Sequence, residues 1–147
     1  MSYQVEDWSW IRKEMSLHFE RHNRESGLSP DSYDFDFQTY DNLNKRGLVF
    51  AYTLRDNDDN LVGYYLAILG RDLNHKSVIQ STAMLVYVAP EFRKGVSGIR
   101  LIRGAEEELR KAGVHKIVIG HTHRKDISSL LKRLGYTPTE IVYSKDL

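Results

Sequence analysis

Residues 85–102 read Leu85-Val86-Tyr87-Val88-Ala89-Pro90-Glu91-Phe92-Arg93-Lys94-Gly95-Val96-Ser97-Gly98-Ile99-Arg100-Leu101-Ile102. An apolar run stops at a proline, a basic loop with glycines follows, and a helical pattern then begins. Val96, Ile99, Ile102, Ala105, Leu109 and Ala112 share one helix face. The first N–H groups of a helix lack internal partners, and its dipole is positive at that end. Gly95 and Gly98 let a ligand approach the backbone, and Arg93 and Lys94 add positive charge, so the stretch reads as a pyrophosphate cradle. It is not a Walker A loop, because no Gly-Lys-Ser/Thr closes it, and its glycines do not satisfy GxGxxG. On spacing alone, a strand–turn–helix with ordinary turn residues is an equal reading.

Working outward, the apolar run begins near Val78, so a strand is expected over 78–88, followed by a helix over 97–112. Glu106 with Arg110 and Glu107 with Lys111 support that helix as i,i+4 pairs, and Gly113 suits its end. A short strand is expected around Ile117–Ile119. A helix carrying Ile127, Leu130, Leu131 and Leu134 follows and closes at Gly135. Beyond Pro138, Glu140–Tyr143 reads as a last short strand. Upstream, 48–54 and 61–69 are apolar, aromatic-rich strands joined by the turn-forming run Arg55–Asn60. Trp8, Ile11, Met15 and Phe19 predict an amphipathic helix over 6–24 that ends near Gly27. Tyr33, Phe35 and Phe37 alternate with acidic residues as a strand would, while 38–46 suits a short helix equally well. Antiparallel strands followed by a βαβ unit give a mixed α/β (α+β) fold, a central mixed sheet flanked by helices.

The 147 residues suit one domain spanning 1–147. With 41% hydrophobic and 28% charged residues the composition is that of a globular chain. A net charge of +1 gives no global signature of nucleic-acid or anionic-membrane binding. The chain has no cysteine, which excludes disulfides, thiolate metal sites and a cysteinyl intermediate. No stretch approaches the ~20 apolar residues of a spanning helix. No signal-peptide pattern opens the sequence, and a cytoplasmic location is expected.

Val88-Ala89-Pro90-Glu91-Phe92-Arg93, the glycine loop and the amphipathic helix together resemble the acetyl-CoA motif of the GNAT acetyltransferases, Arg/Gln-x-x-Gly-x-Gly/Ala. Arg93 fills its first position and Gly98 its last; Val96 stands where the middle glycine is usual, with Gly95 adjacent. Lys111-Ala112-Gly113-Val114 and Leu130-Leu131-Lys132-Arg133-Leu134-Gly135-Tyr136 extend the resemblance over residues 78–136. It implies transfer of an acetyl group from acetyl-CoA directly to a primary amine, on a small molecule or a protein. The thioester arm would run along the backbone of Val86, Tyr87 and Val88. The pyrophosphate would sit on Arg93, Lys94, Gly95, Val96, Ser97, Gly98 and Ile99. The alternative is a degenerate GNAT fold that binds a protein or ligand without catalysis. A homodimer is compatible with either.

Amine acetylation needs a neutral amine, a polarised carbonyl and a proton for the departing thiolate. The family's usual tyrosine acid corresponds to Leu131 and its preceding asparagine to Arg124, while 77–89 holds no carboxylate base. Two substitutes stand out. Tyr143 is a candidate acid from the expected last strand, against the simpler role of a packed strand aromatic. His121 is a candidate base after the central strand, against an inert loop histidine. Asp34 and Asp36 could attract a cationic amine or merely be surface residues. No metal site is expected: His115, His121 and His123 lack a carboxylate at a convincing spacing, and Asp56, Asp58 and Asn60 lack the glycine and distal glutamate of a calcium loop.

Overall fold

The computed structural model describes residues 1–27 and 34–147. In chain order the elements are β1 (Ser2–Val5), α1 (Trp8–Ser26), α2 (Phe37–Lys45), β2 (Val49–Arg55), β3 (Leu61–Asp72), β4 (His75–Val88), a 3-10 turn (Pro90–Phe92), α3 (Ser97–Lys111), β5 (Lys116–Val118) and α4 (Ser128–Arg133). The sheet runs β1-β2-β3-β4-β5. Its first four strands are antiparallel neighbours and β5 lies parallel to β4. This is the mixed α/β architecture expected from the sequence.

Each helix forms for local reasons and is held by the face it buries. Asp7 caps α1 by accepting from the Ser9 N–H at 2.8 Å, and Gly27, at φ 68°, ends it by donating to the Asn23 carbonyl. Trp8, Ile11, Met15 and Phe19 are buried as their spacing predicts, each worth roughly 1.5–3 kcal/mol of transfer free energy. With Tyr40 of α2 they pack against Ala51, Tyr64, Leu66 and Tyr87 on one face of the sheet. Leu101, Ala105 and Leu109 of α3 cover the other face, against Phe50, Leu54, Tyr65 and Val88. α3 sits close to the sheet because Gly104 has no side chain: a Cβ there would fall 2.4 Å from the Tyr52 hydroxyl oxygen. With helices on both faces, β3 reads Leu-Val-Gly-Tyr-Tyr-Leu-Ala without alternation.

Three expectations need correction. β1, hydrogen-bonded to β2, precedes α1 and was not anticipated; four mostly exposed edge residues leave little hydrophobic signal. In the alternating stretch, Tyr33 lies outside the described residues, and Phe37 begins a helix rather than continuing a strand. The aromatic rings of Phe35, Phe37 and Tyr40 gather around Trp8, with centroids 5.1–6.1 Å away. The strand expected at Glu140–Tyr143 does not form. Its β-forming side chains meet no sheet edge, and Ile141, Val142 and Tyr143 are 79–89% exposed. Strand preference is realised through neighbours on a sheet, and here it finds none.

Candidate functional site

β4 and β5 pair over only three residues, Gln80–Thr82 against Lys116–Val118, and then part. Where they part, β4 is bulged: Leu85 pairs with Leu66 and Ala83 with Ala67, leaving Met84 as the extra residue. Bulges bend strands and are common beside functional sites. Beyond the bulge, the β5 side of β4 has no paired strand among the described residues. A pocket of about 690 Å³ opens there, lined by Ala83–Val86 on one side and Gly120, His121 and Thr122 on the other. The end of α1 and the segment before α2 close it with His22, Ser26, Asp34 and Phe35.

At the far end of β4 the chain turns through Pro90–Phe92 into the glycine loop. Gly95 takes φ 71°, a left-handed conformation costly for other residues. Val96 occupies the N-cap of α3 with no side-chain hydrogen bond to the helix. Among the described residues, the opening N–H groups of this 15-residue helix have no side-chain partner. A Cβ on Gly98 would meet nothing within 4 Å, so the backbone there is open to approach. Lys94 and Gly95 are exposed, and Ser97 Oγ donates to the Lys94 carbonyl at 3.3 Å. Uncapped N–H groups, an open glycine and adjacent positive charge fit a pyrophosphate. Residues 93–99 do not line the pocket, so cradle and pocket lie at separate points along β4.

His121 is set at the pocket wall by local bonds. Its Nδ1 donates to the Thr122 carbonyl at 3.1 Å, leaving Nε2 as the basic nitrogen, and Asp126 Oδ1 lies 3.5 Å from Nε2. Tyr143 is not brought to the pocket: without its strand it is 89% exposed and absent from the lining. Leu131 is buried in α4. Asp36 caps α2, accepting from the Thr39 N–H at 2.9 Å. A bond from the Thr39 hydroxyl and, after it, this one hold its carboxyl below the usual range. Val86 lines the pocket, whereas the side chains of Tyr87 and Val88 are buried, so those two positions could offer a ligand only backbone.

A cluster not anticipated from the sequence lies between pocket and cradle. His22 Nδ1 and the Tyr64 hydroxyl share a 3.1 Å hydrogen bond, and the His22 ring stacks on Tyr87 at 4.9 Å. Burial, reinforced by the Lys125 ammonium, lowers the His22 pKa to about 4, so the ring is neutral at pH 7. Glu25 accepts from Arg93 Nη2 at 2.6 Å and from Lys125 Nζ at 3.0 Å. Burial pushes the Glu25 carboxyl up, but these two bonds outweigh it and hold it below the ordinary value. One signal pointed here: position 22 continues the buried stripe 8, 11, 15, 19 of α1, which makes His22 a polar residue on an apolar face.

No protein-family model and no curated protein matches the chain. Solved structures match it over nearly its whole length. One is a predicted acetyltransferase from Clostridium acetobutylicum with acetyl-CoA, at TM-score 0.75 and 14% identity, covering 99% of this chain and 95% of that one. An aminoglycoside acetyltransferase from an uncultured soil metagenomic sample aligns at TM-score 0.74 and 10% identity, over 99% and 95%. A ribosomal-protein-alanine N-acetyltransferase from Brucella melitensis aligns at 0.71 and 13%, over 100% of both chains. The chain has the fold of the GNAT acetyltransferases.

Proposed function

We propose that this protein is an N-acetyltransferase that moves an acetyl group from acetyl-CoA directly to a primary amine. The observation that carries this reading is the parting of β4 from β5, with an uncapped α3 N-terminus near one end and a pocket at the other. Residues 93–99 would hold the pyrophosphate, and the open edge of Val86–Val88 the pantetheine arm. Acetyl-CoA supplies the activated acetyl thioester. The amine acceptor, on a small molecule or a protein, would enter the pocket.

His121 is the proposed base. Nδ1 is committed to a carbonyl, so Nε2 is free to take a proton from the attacking amine, and Asp126 stands by to balance the imidazolium. The new N–C bond forms as the C–S bond breaks, and the proton lost by nitrogen ends on the thiolate. His22, held neutral, adds no positive charge to the wall and so does not repel an ammonium group. Lys125 is offset by Glu25. The absence of cysteine suits direct transfer and a cytoplasmic setting.

Calorimetry with acetyl-CoA, desulfo-CoA and ATP tests the reading. Micromolar binding selective for the CoA scaffold supports it and directs an amine screen; no binding at millimolar ligand ends it. Buried Leu131, where the family's tyrosine would stand, favours one rival: a fold that binds without turnover. Tight acetyl-CoA binding with no acetylated amine in the screen would establish that rival.

A further inference from the structure

The last two turns of α1 grip the start of the glycine loop at two points. Arg21 and Glu25, one helical turn apart, face Glu91 and Arg93 with opposite charges in register. Arg21 Nη1 donates to Glu91 Oε1 at 2.7 Å and its Nε to the Tyr87 hydroxyl at 3.0 Å. Arg93 makes three further commitments. Its Nε donates to the Val88 carbonyl at 2.7 Å, tying the loop back to the end of β4. Its Nη2 donates to Glu25 Oε2 at 2.6 Å, and its guanidinium lies 5.6 Å from the Tyr87 ring centre. Lys125, on the pocket wall, reaches the same Glu25 oxygen and lies over the same ring at 5.6 Å.

We propose that Glu25 is a positioning residue for the cradle. One of its carboxylate oxygens accepts from the loop's Arg93 and the pocket's Lys125, so Arg93 serves as the strut that sets residues 94–99 rather than as a ligand of the phosphates. This rests on the reading of 93–99 as the pyrophosphate cradle. The guanidinium suits a strut because its planar fork bonds a carbonyl and a carboxylate at once; a lysine ammonium on its single stem cannot span both in that geometry. Phosphate binding then falls to the backbone N–H groups at the start of α3, which no side chain among the described residues caps.

The two possible roles of Arg93 give opposite signs for one substitution. If Arg93 binds phosphate, Glu25 competes for it, and Glu25→Gln leaves acetyl-CoA affinity unchanged or tightens it. If Arg93 is a strut, Glu25→Gln weakens acetyl-CoA binding about tenfold, the scale of one charged hydrogen bond. Arg93→Lys keeps the charge but breaks the fork, and should weaken binding by a similar factor. The double variant should be little worse than either single one, because the two residues act as a unit. In the ligand-free protein, amide exchange at 94–99 should be faster in both variants than in wild type. Wild-type or tighter affinity in Glu25→Gln, or full affinity in Arg93→Lys, overturns the proposal. If wild-type protein binds no acetyl-CoA, the proposed function fails separately. Amide exchange then decides the strut alone, and unchanged exchange in Glu25→Gln refutes it.

Discussion

Two arginines are paired with carboxylates from α1, and they are built differently. Arg55, at the end of β2, is 7% exposed and fully engaged. It bonds Glu6 through Nε and Nη2 at 3.0 Å, Glu14 at 2.9–3.0 Å, and the Asp59 carbonyl at 2.7 Å. Arg93 has a side chain 37% exposed and shares one oxygen of Glu25 with Lys125. At the centre of the first cluster the side chains of Arg55 and Glu6 are 8% and 12% exposed, so removing Arg55 strands the Glu6 charge away from water, while Glu14 sits at its exposed rim. The second is half-buried throughout, with Arg93 at 37%, Lys125 at 32% and Glu25 at 23% exposure, and Lys125 borders the pocket, so its charges can be rehydrated or meet a ligand. The difference separates an ion cluster that holds the fold from one that sets a site.

The largest expected effect breaks the first cluster. Arg55→Ala leaves Glu6, only 12% exposed, without its main partner, and should cost about 3 kcal/mol in urea denaturation. Arg93→Ala should cost less by the same measurement, about 1 kcal/mol, because Arg93 is 37% exposed and Glu25 keeps Lys125 as a partner, yet it should weaken acetyl-CoA binding about tenfold, as loss of the strut requires. Equal stability losses in the two variants would erase the distinction.

The next effect is pH dependence beside the second cluster. His22 has a folded pKa near 4, against 6.5 when unperturbed. The unfolded chain therefore binds more protons between those values, and stability is full above about 6.5 and lost as pH falls toward 4. The loss is on the order of 3 kcal/mol across that window. Burial is the main cause, with Lys125 next; Arg93 and His18 act in the same direction and Glu25 against them. His22→Gln should flatten the denaturation midpoint between pH 4.5 and 6.5, above the range in which Glu25 itself titrates. A slope that persists in the variant would place the titrating group elsewhere.

What the sequence made legible follows this division. The sealed parts announce themselves, because burial imposes a period: the α1 stripe, β3 and the α3 face all read directly. The strand, turn and helix around Pro90, Gly95 and Gly98 were legible through local chemistry, whereas reading that turn as a cradle rested on the family resemblance. The clamp was not. Glu25, Glu91 and Lys125 are unremarkable charged residues in the chain, and Glu25 lies 68 and 100 positions from Arg93 and Lys125. Only the packing of α1 across β4 brings them together. The last strand failed for the complementary reason: Ile141-Val142-Tyr143 has the right residues but no edge to join.

The smallest effect sharpens the contrast at the level of helix caps. α2 begins at Asp36, whose carboxylate accepts from the Thr39 N–H and hydroxyl, whereas α3 begins at Val96, which caps nothing and is 47% exposed. Val96→Asp should supply the missing acceptor and favour the positive end of α3, stabilising the protein by about 0.5–1 kcal/mol. The same carboxylate would occupy the N–H groups proposed for the pyrophosphate and repel its charge, so acetyl-CoA affinity should fall by at least tenfold. A gain in stability with a loss of binding is the signature of a helix end left uncapped for a ligand. If Val96→Asp stabilises the fold and acetyl-CoA still binds normally, the phosphates sit elsewhere and Val96 is simply a poor cap. If it does neither, the loop between Gly95 and Ser97 is held too firmly for the new side chain to reach the helix.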